Sequence, residues 1–389
     1  MRSRINLLCF FLLILSCKKP FTPTLSNADN SRYLVIEGTI SGNDSTFIRL
    51  DRTKKVDTLK TITPETGAVV TIESDANNTY ALTEIRSGIY AVPSLGLDAS
   101  HKYRLRVKTT DSKVYLSDYV PMKNSPPIDS VGFVAQSSAV QIYVNTHDAA
   151  NATRYYRWEF NEDWQFHSMY RSGSYSNGVD SIKFRTTSMQ VYDCFGSDSS
   201  QNIVIASTAK LATDIIYQAP ITLIPSNSEK IETKYSILVK QYALTDDAYA
   251  FWENLQKNTE KIGSIFDALP SEVQSNFHCV SNPNELVIGY LSAGNIATKR
   301  IFISANQLLP SYSPKYPCDC ELDTAFFAPT GVQKSVSILI PSTSPYIPIQ
   351  ALYPVPAGPF GLPYAFTYST ILCVDCTVRG TKTRPSFWK

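Results

Sequence analysis

The residues best able to do chemistry in this chain are cysteines set close together. Cys318 and Cys320 form "CDC", Cys373 and Cys376 form "CVDC", and Cys194 and Cys279 stand alone upstream. Four thiolates from the two close pairs could hold zinc, but structural zinc usually takes a wider first pair than C-x-C. Shuttling electrons needs a C-x-x-C at a helix amino terminus, where the dipole lowers a thiol pKa. The flanks "STILCVDCTVRG" put β-branched residues before the motif and a Gly-to-Pro stretch after it, so it is expected on a strand and its exit. Disulfides are left as the best use: one or two bridges between the 318/320 pair and the 373/376 pair. Cys194 and Cys279 are the other candidates, and the pairing stays open. Closing a loop of about 50 residues contributes about 4 kcal/mol in the chain-entropy account. No metal or cofactor is expected.

Other polar chemistry is sparse. His101, His147, His167 and His278 are scattered and form no H-E-x-x-H pair. The chain has no P-loop, no G-x-G-x-x-G after a strand and no G-x-S-x-G elbow. "NEDWQFH" sets Glu162, Asp163 and His167 beside Trp164, types that could hold Ca²⁺ or stack on a sugar, although a polar strand edge accounts for them more simply. "HSMYRSGSYSNG", residues 167–178, reads as a solvent loop. No catalytic residue is expected.

The elements that would position these residues begin with an address. In "MRSRINLLCFFLLILSCKKP", Arg2 and Arg4 precede an apolar run, Ile5 to Leu15, of signal-peptide length and too short to span a bilayer. It ends in Ile14-Leu15-Ser16-Cys17, similar to a bacterial lipobox, so residues 1–16 are expected to be removed and Cys17 to carry lipid. Two or three acyl chains make a durable anchor, because each buried methylene contributes about 0.8 kcal/mol. Residues 17–32 read as a flexible tether. Removing Arg2 and Arg4 takes the formal charge from +2 to 0, which argues against nucleic acid as a partner.

Beyond the tether the chain reads as mainly β. Residues 33–122 carry short alternating runs such as "YLVIEGTI" and "KYRLRV", expected to form an immunoglobulin/fibronectin-like β-sandwich with Tyr103 at a tyrosine corner. The Pro-containing stretch 121–130 reads as a linker. Residues 123–389 then form a larger β-rich domain with one inserted α-helix at about 246–262, where Ala248, Phe251, Trp252, Leu255 and Ile262 recur at helical spacing. Thr245 is its N-cap and Gly263 its C-terminal cap. Residues 341–363 hold seven prolines and are expected to be an extended surface loop rather than a central strand. Tyr346, Tyr353 and Phe360 in that loop are candidate partner contacts.

Three stretches together resemble a lipoprotein family of Bacteroidota described as domain of unknown function 4249: "YLVIEGTI", "SILVKQYALTDDAYAFWENLQKNTEKIGSIFDALPSEVQSN" and "CVDCTVRGTKTRPSFW". The closing stretch departs from the family at Gly380, Thr381 and Lys382, where two glycines and an Asn are usual. The resemblance implies an outer-membrane lipoprotein, working beside a TonB-dependent barrel transporter, and carries over no catalytic residues. Lys18 and Lys19 leave the membrane face, periplasmic or surface, open. Asp57-Thr58-Leu59, Asp129-Ser130-Val131, Asp180-Ser181-Ile182 and Asp323-Thr324-Ala325 resemble the O-glycosylation acceptor of Bacteroidota. The leading expectation is a non-catalytic accessory or ligand-binding lipoprotein. The alternatives are an envelope or surface glycan hydrolase, its carboxylates spread among strands, and a passive adhesive or structural protein.

Overall fold

The computed structural model describes residues 32–53, 63–260, 274–316, 319–354 and 361–389. The signal segment, Cys17, the tether up to Ser31, Cys318, Phe360 and the Asp57-Thr58-Leu59 tripeptide lie outside the described residues.

The first unit is built from β1 (Leu34–Ser41), β2 (Thr46–Arg52), β3 (Thr63–Pro64), β4 (Val69–Ser74), β5 (Thr79–Arg86), β6 (Ile89–Val92), β7 (Lys102–Lys108), β8 (Val114–Ser117) and β9 (Val120–Asn124). The alternation read from sequence is realised in β7: Tyr103, Leu105 and Val107 are buried, while Arg104 stays outside on Glu73 at 2.6 Å. The Tyr103 hydroxyl donates to the carbonyl of Asp98 at 3.0 Å, the bond expected of a tyrosine corner.

The sheet closes on itself where a sandwich was expected. With β21 (Ser292–Asn295), the strand order β7-β4-β5-β6-β2-β1-β21-β9 returns to β7, an eight-strand barrel-like ring. Two strands make the corners. β5 pairs with β4 through Thr79 to Leu82 and with β6 from Thr83 onward; β9 pairs with β7 through Val120 and Pro121 and with β21 from Met122. Closure removes free edges, and it requires strands that a boundary at residue 122 excludes. β19 (Phe277–Cys279), β20 (Val287–Gly289) and β21 (Ser292–Asn295) come from beyond the helix, and pair with β8, β1 and β9. Gly289 permits this: its φ is +142°, and a Cβ there would stand 2.1 Å from the carbonyl of Ile36.

The second unit contains β10 (Ile128–Ala135), β11 (Ala139–His147), β12 (Tyr155–His167), β15 (Asp193–Ser199), β16 (Val204–Ser207), β17 (Ile215–Pro225), β18 (Lys234–Ala243) and β22 (Ala297–Ser304). One sheet has the order β10-β11-β17 and the other β15-β12-β18-β22, with β16 also on β12. Their buried residues form a single core that includes Val140, Ile142, Trp158, Phe166, Tyr235 and Ile237. The helix α1 (Asp246–Glu260) starts where expected: the Thr245 hydroxyl accepts from the Ala248 N–H at 3.2 Å. Ala248 and Phe251 are buried, and Arg157 lies 3.9 Å over the Trp252 ring. Ile262 and Gly263 lie outside the described residues.

The third unit is a sheet of order β24-β23-β26-β25, with β23 (Asp323–Phe326), β24 (Lys334–Ser335), β25 (Tyr346–Leu352) and β26 (Ala365–Thr370). The hairpin of β13 (Ser174–Ser176) and β14 (Ile182–Phe184) packs beside it. The proline-rich stretch is thus a strand over part of its length. Pro348 is tolerated because β25 ends the sheet and its register shifts between Pro348 and Gln350.

The cysteine pairing also differs from the simplest expectation. Cys320 bonds Cys373, across the two close pairs, but Cys376 bonds Cys194 on β15. Cys279 forms no disulfide: it points into the core of the ring, away from the other sulfurs. "CVDC" sits just past β26, on the single helical turn α2 (Ile371–Val374) and the turn after it, not on a strand.

Candidate functional site

The sheet of the third unit gathers exposed aromatic residues at one end. Leu352 and Phe326 both pair with Ala365, so the next residues out, Tyr353, Tyr364 and Phe327, follow at one end of three strands, where the Tyr364 ring packs 6.2 Å from Phe326 and the Phe327 ring 6.0 Å from Phe366. Backbone bonds tie these ends together: Phe327 N–H donates to Tyr364 O at 3.1 Å and Tyr364 N–H to Leu352 O at 2.9 Å. All three side chains are open to solvent, at 41%, 46% and 58% exposure, and Leu362 beside them is 82% exposed. Large apolar groups gathered in this way mark contact surfaces.

Tyr353 also borders an open groove of 440 Å³ lined by Arg171, Ser172, Ser174, Phe184, Gln190 and Gln350 among others. Arg185 braces its floor: the guanidinium donates to Ser172 Oγ at 3.2 Å, Ser174 O at 3.0 Å and Met189 O at 3.0 Å. Burial holds the Arg185 pKa below the usual arginine value. Phe184 is 64% exposed on one side, and Arg171 is solvent-facing at the rim, 3.9 Å from Asp193. The groove therefore offers aromatic surface, amides, hydroxyls and one cation, a set suited to holding a ligand.

The sequence-derived candidates divide. Tyr353 takes part in the surface. Tyr346 does not: its ring packs 5.0 Å from Tyr368 against the sheet's own core, because the strand alternation turns it inward. Phe360 lies outside the described residues. Phe184, Phe327 and Tyr364 were missed, since only strand register brings such separated residues together.

"NEDWQFH" is absorbed by structure. Glu162 falls in the inward column of β12, where it accepts from the Tyr235 hydroxyl at 2.5 Å and Lys230 at 2.5 Å; Lys230 also lies 5.1 Å over the Trp164 ring. Asp163 bonds Arg300 at 3.1 Å. His167 has Nδ1 at 2.8 Å from Ser168 O and Nε2 at 3.3 Å from Glu232, so neither ring nitrogen is open to a substrate. Burial and Glu232 push the Tyr316 hydroxyl up beside it. Among the described residues no group of three His, Cys, Asp or Glu is placed to hold a metal ion.

A smaller cleft of 210 Å³ lies between the ring and the start of α1, lined by Asp118, Tyr119, Lys123, Asp247 and Tyr290 among others. Of the acceptor-like tripeptides, Asp129 is held by His147, Ser181 lies in the β13–β14 turn and Thr324 lies on β23.

The family model "Domain of unknown function (DUF4249)" matches residues 18–300. The chain belongs to this family. No curated protein matches the sequence. Among solved structures the chain is matched to chitinase ChiA74 from Bacillus thuringiensis at 10% identity and a TM-score of 0.15, covering 46% of this chain and 30% of the chitinase. The match covers the ring, α1 and the two-sheet unit up to the middle of β22, and ends before Phe327, Tyr353 and Tyr364, which belong to the remainder of the chain.

Proposed function

We propose that this DUF4249 member is an outer-membrane lipoprotein, anchored through Cys17, that acts without catalysis as an accessory or ligand-binding partner of a TonB-dependent barrel transporter. The observation that carries the reading is the exposure of Tyr353, Tyr364 and Phe327 at one end of the sheet. Aromatic side chains give a contact surface much area at little entropic cost, and they are enriched where proteins meet. The two disulfides agree with an oxidising compartment outside the cytoplasm.

We further propose that residues 128–304, rather than 33–122, have an immunoglobulin/fibronectin-like architecture. The strand orders β10-β11-β17 and β15-β12-β18-β22 support this, since they are compatible with the three-plus-four arrangement A-B-E and C′-C-F-G of such a sandwich. This reading supports a binding role, since sandwiches of this kind commonly serve as surface modules.

The test is crosslinking of the tagged lipoprotein in its own membranes, followed by mass spectrometry of what co-purifies. A stoichiometric barrel protein, lost when Tyr353, Tyr364 and Phe327 are all replaced by Ser, is the expected result. A lone lipoprotein in repeated preparations overturns the accessory reading.

A further inference from the structure

The groove beside Tyr353 has a feature that side-chain composition does not convey: one of its walls is an unfinished sheet edge. β25 is the last strand of its sheet. Its outer edge is covered at Ile349, whose carbonyl accepts from Gly173 N–H at 2.8 Å, and at Pro348, whose carbonyl accepts from Ser172 Oγ at 2.8 Å. Beyond that the cover stops. Gln350 pairs with Thr367, and Leu352 O accepts from Tyr364 N–H at 2.9 Å, so both face β26. Peptide groups alternate sides along a strand, which turns the N–H and C=O of Ala351 outward. Ala351 lines the groove; β13 packs beside β25 on this side, held through Ser172 and Gly173, and among the described residues no strand pairs with β25 at Ala351.

We infer that the groove is a docking site for an extended segment of a partner polypeptide, added to β25 as a further strand. It deepens the partner-binding reading above and rests on it. Backbone bonds to Ala351 would hold the segment, as in other cases of strand addition to an open edge. Its side chains on one face would lie between Phe184 and Tyr353, both open to solvent. The exposed guanidinium of Arg171 at the rim selects an acidic residue, since its nearest carboxylate, Asp193, is 3.9 Å away and itself exposed. Two polar atoms in the lining, Ser174 Oγ and Gln190 Oε1, have no hydrogen-bond partner, and Ser174 is almost wholly buried.

The experiment is selection from a displayed library of random ten-residue peptides on the immobilised mature chain, with the enriched peptides then synthesised. The expected peptides alternate apolar residues and carry Asp or Glu near one end. Methylating the amides that face β25 should weaken binding at least tenfold, and Arg171→Glu should reverse the charge preference. Both readouts leave the fold of β25 untouched. No enrichment overturns the proposal, as do peptides indifferent to both changes. An oligosaccharide that binds in a Tyr353-dependent way, with no peptide enriched, overturns it in favour of a saccharide site. A barrel that co-purifies equally with Arg171→Glu and with Phe184→Ser removes the groove as the contact and leaves the accessory reading standing.

Discussion

At the scale of single residues, the chain shows how strand periodicity commits polar groups. Glu162 is buried because it occupies an inward position of β12, and Tyr235 and Lys230 supply its partners. Glu162→Ala leaves the Tyr235 hydroxyl buried without an acceptor, and is expected to cost about 3 kcal/mol by urea unfolding; Glu162→Gln should recover part of that. The bond from Asp129 raises the His147 pKa above the usual histidine value. A raised folded-state value means the pair stabilises the fold below the ordinary histidine pKa, and the contribution fades as pH rises through the shifted one. In an NMR titration Asp129→Asn should return His147 to an ordinary value, and an unchanged midpoint would assign the shift elsewhere. Both histidine and glutamate were visible in the sequence. Their partners were not, because 18 and 73 positions separate them from Asp129 and Tyr235.

At the scale of elements, local rules placed α1 well. Thr245 caps it and Phe251 is buried, since capping and helical spacing depend on neighbours a few residues apart. Proline chemistry was half legible. It excluded a central strand over 341–363, and β25 is an edge, but the bulge that accommodates Pro348 needs a partner strand to define it. Parallel pairing of β20 with β1 has no local signature, and it depends on Gly289. Gly289→Ala brings a Cβ against the Ile36 carbonyl at an unfavourable φ, so a loss of about 2 kcal/mol or more is expected in thermal unfolding. Retained stability with intact pairing would show that β1 can shift to admit it.

At the scale of the whole molecule, the units are tied together by chain that returns from a distance. Residues 277–295 complete the ring after the chain has built most of the second unit, and Trp388 near the carboxyl end packs against Phe195 and Phe302. Cys194–Cys376 closes a sequence separation of 182 residues, and Cys320–Cys373 one of 53. In the chain-entropy account the longer bridge contributes about 5 kcal/mol and the shorter about 4. Cys194→Ser with Cys376→Ser should therefore lower the melting temperature more than Cys320→Ser with Cys373→Ser, measured by calorimetry with the other bridge intact. What the sequence determined by itself was whatever depends on near neighbours: the β-rich class, strand alternation, the helix with its cap, and family membership from contiguous motifs. Ring closure, the partner of Cys376, the inward turn of Tyr346 and the gathering of Tyr353, Tyr364 and Phe327 at one sheet end were decided only in three dimensions. Strand register joins residues far apart in the chain, and a one-residue slip would have turned each of them to the opposite face.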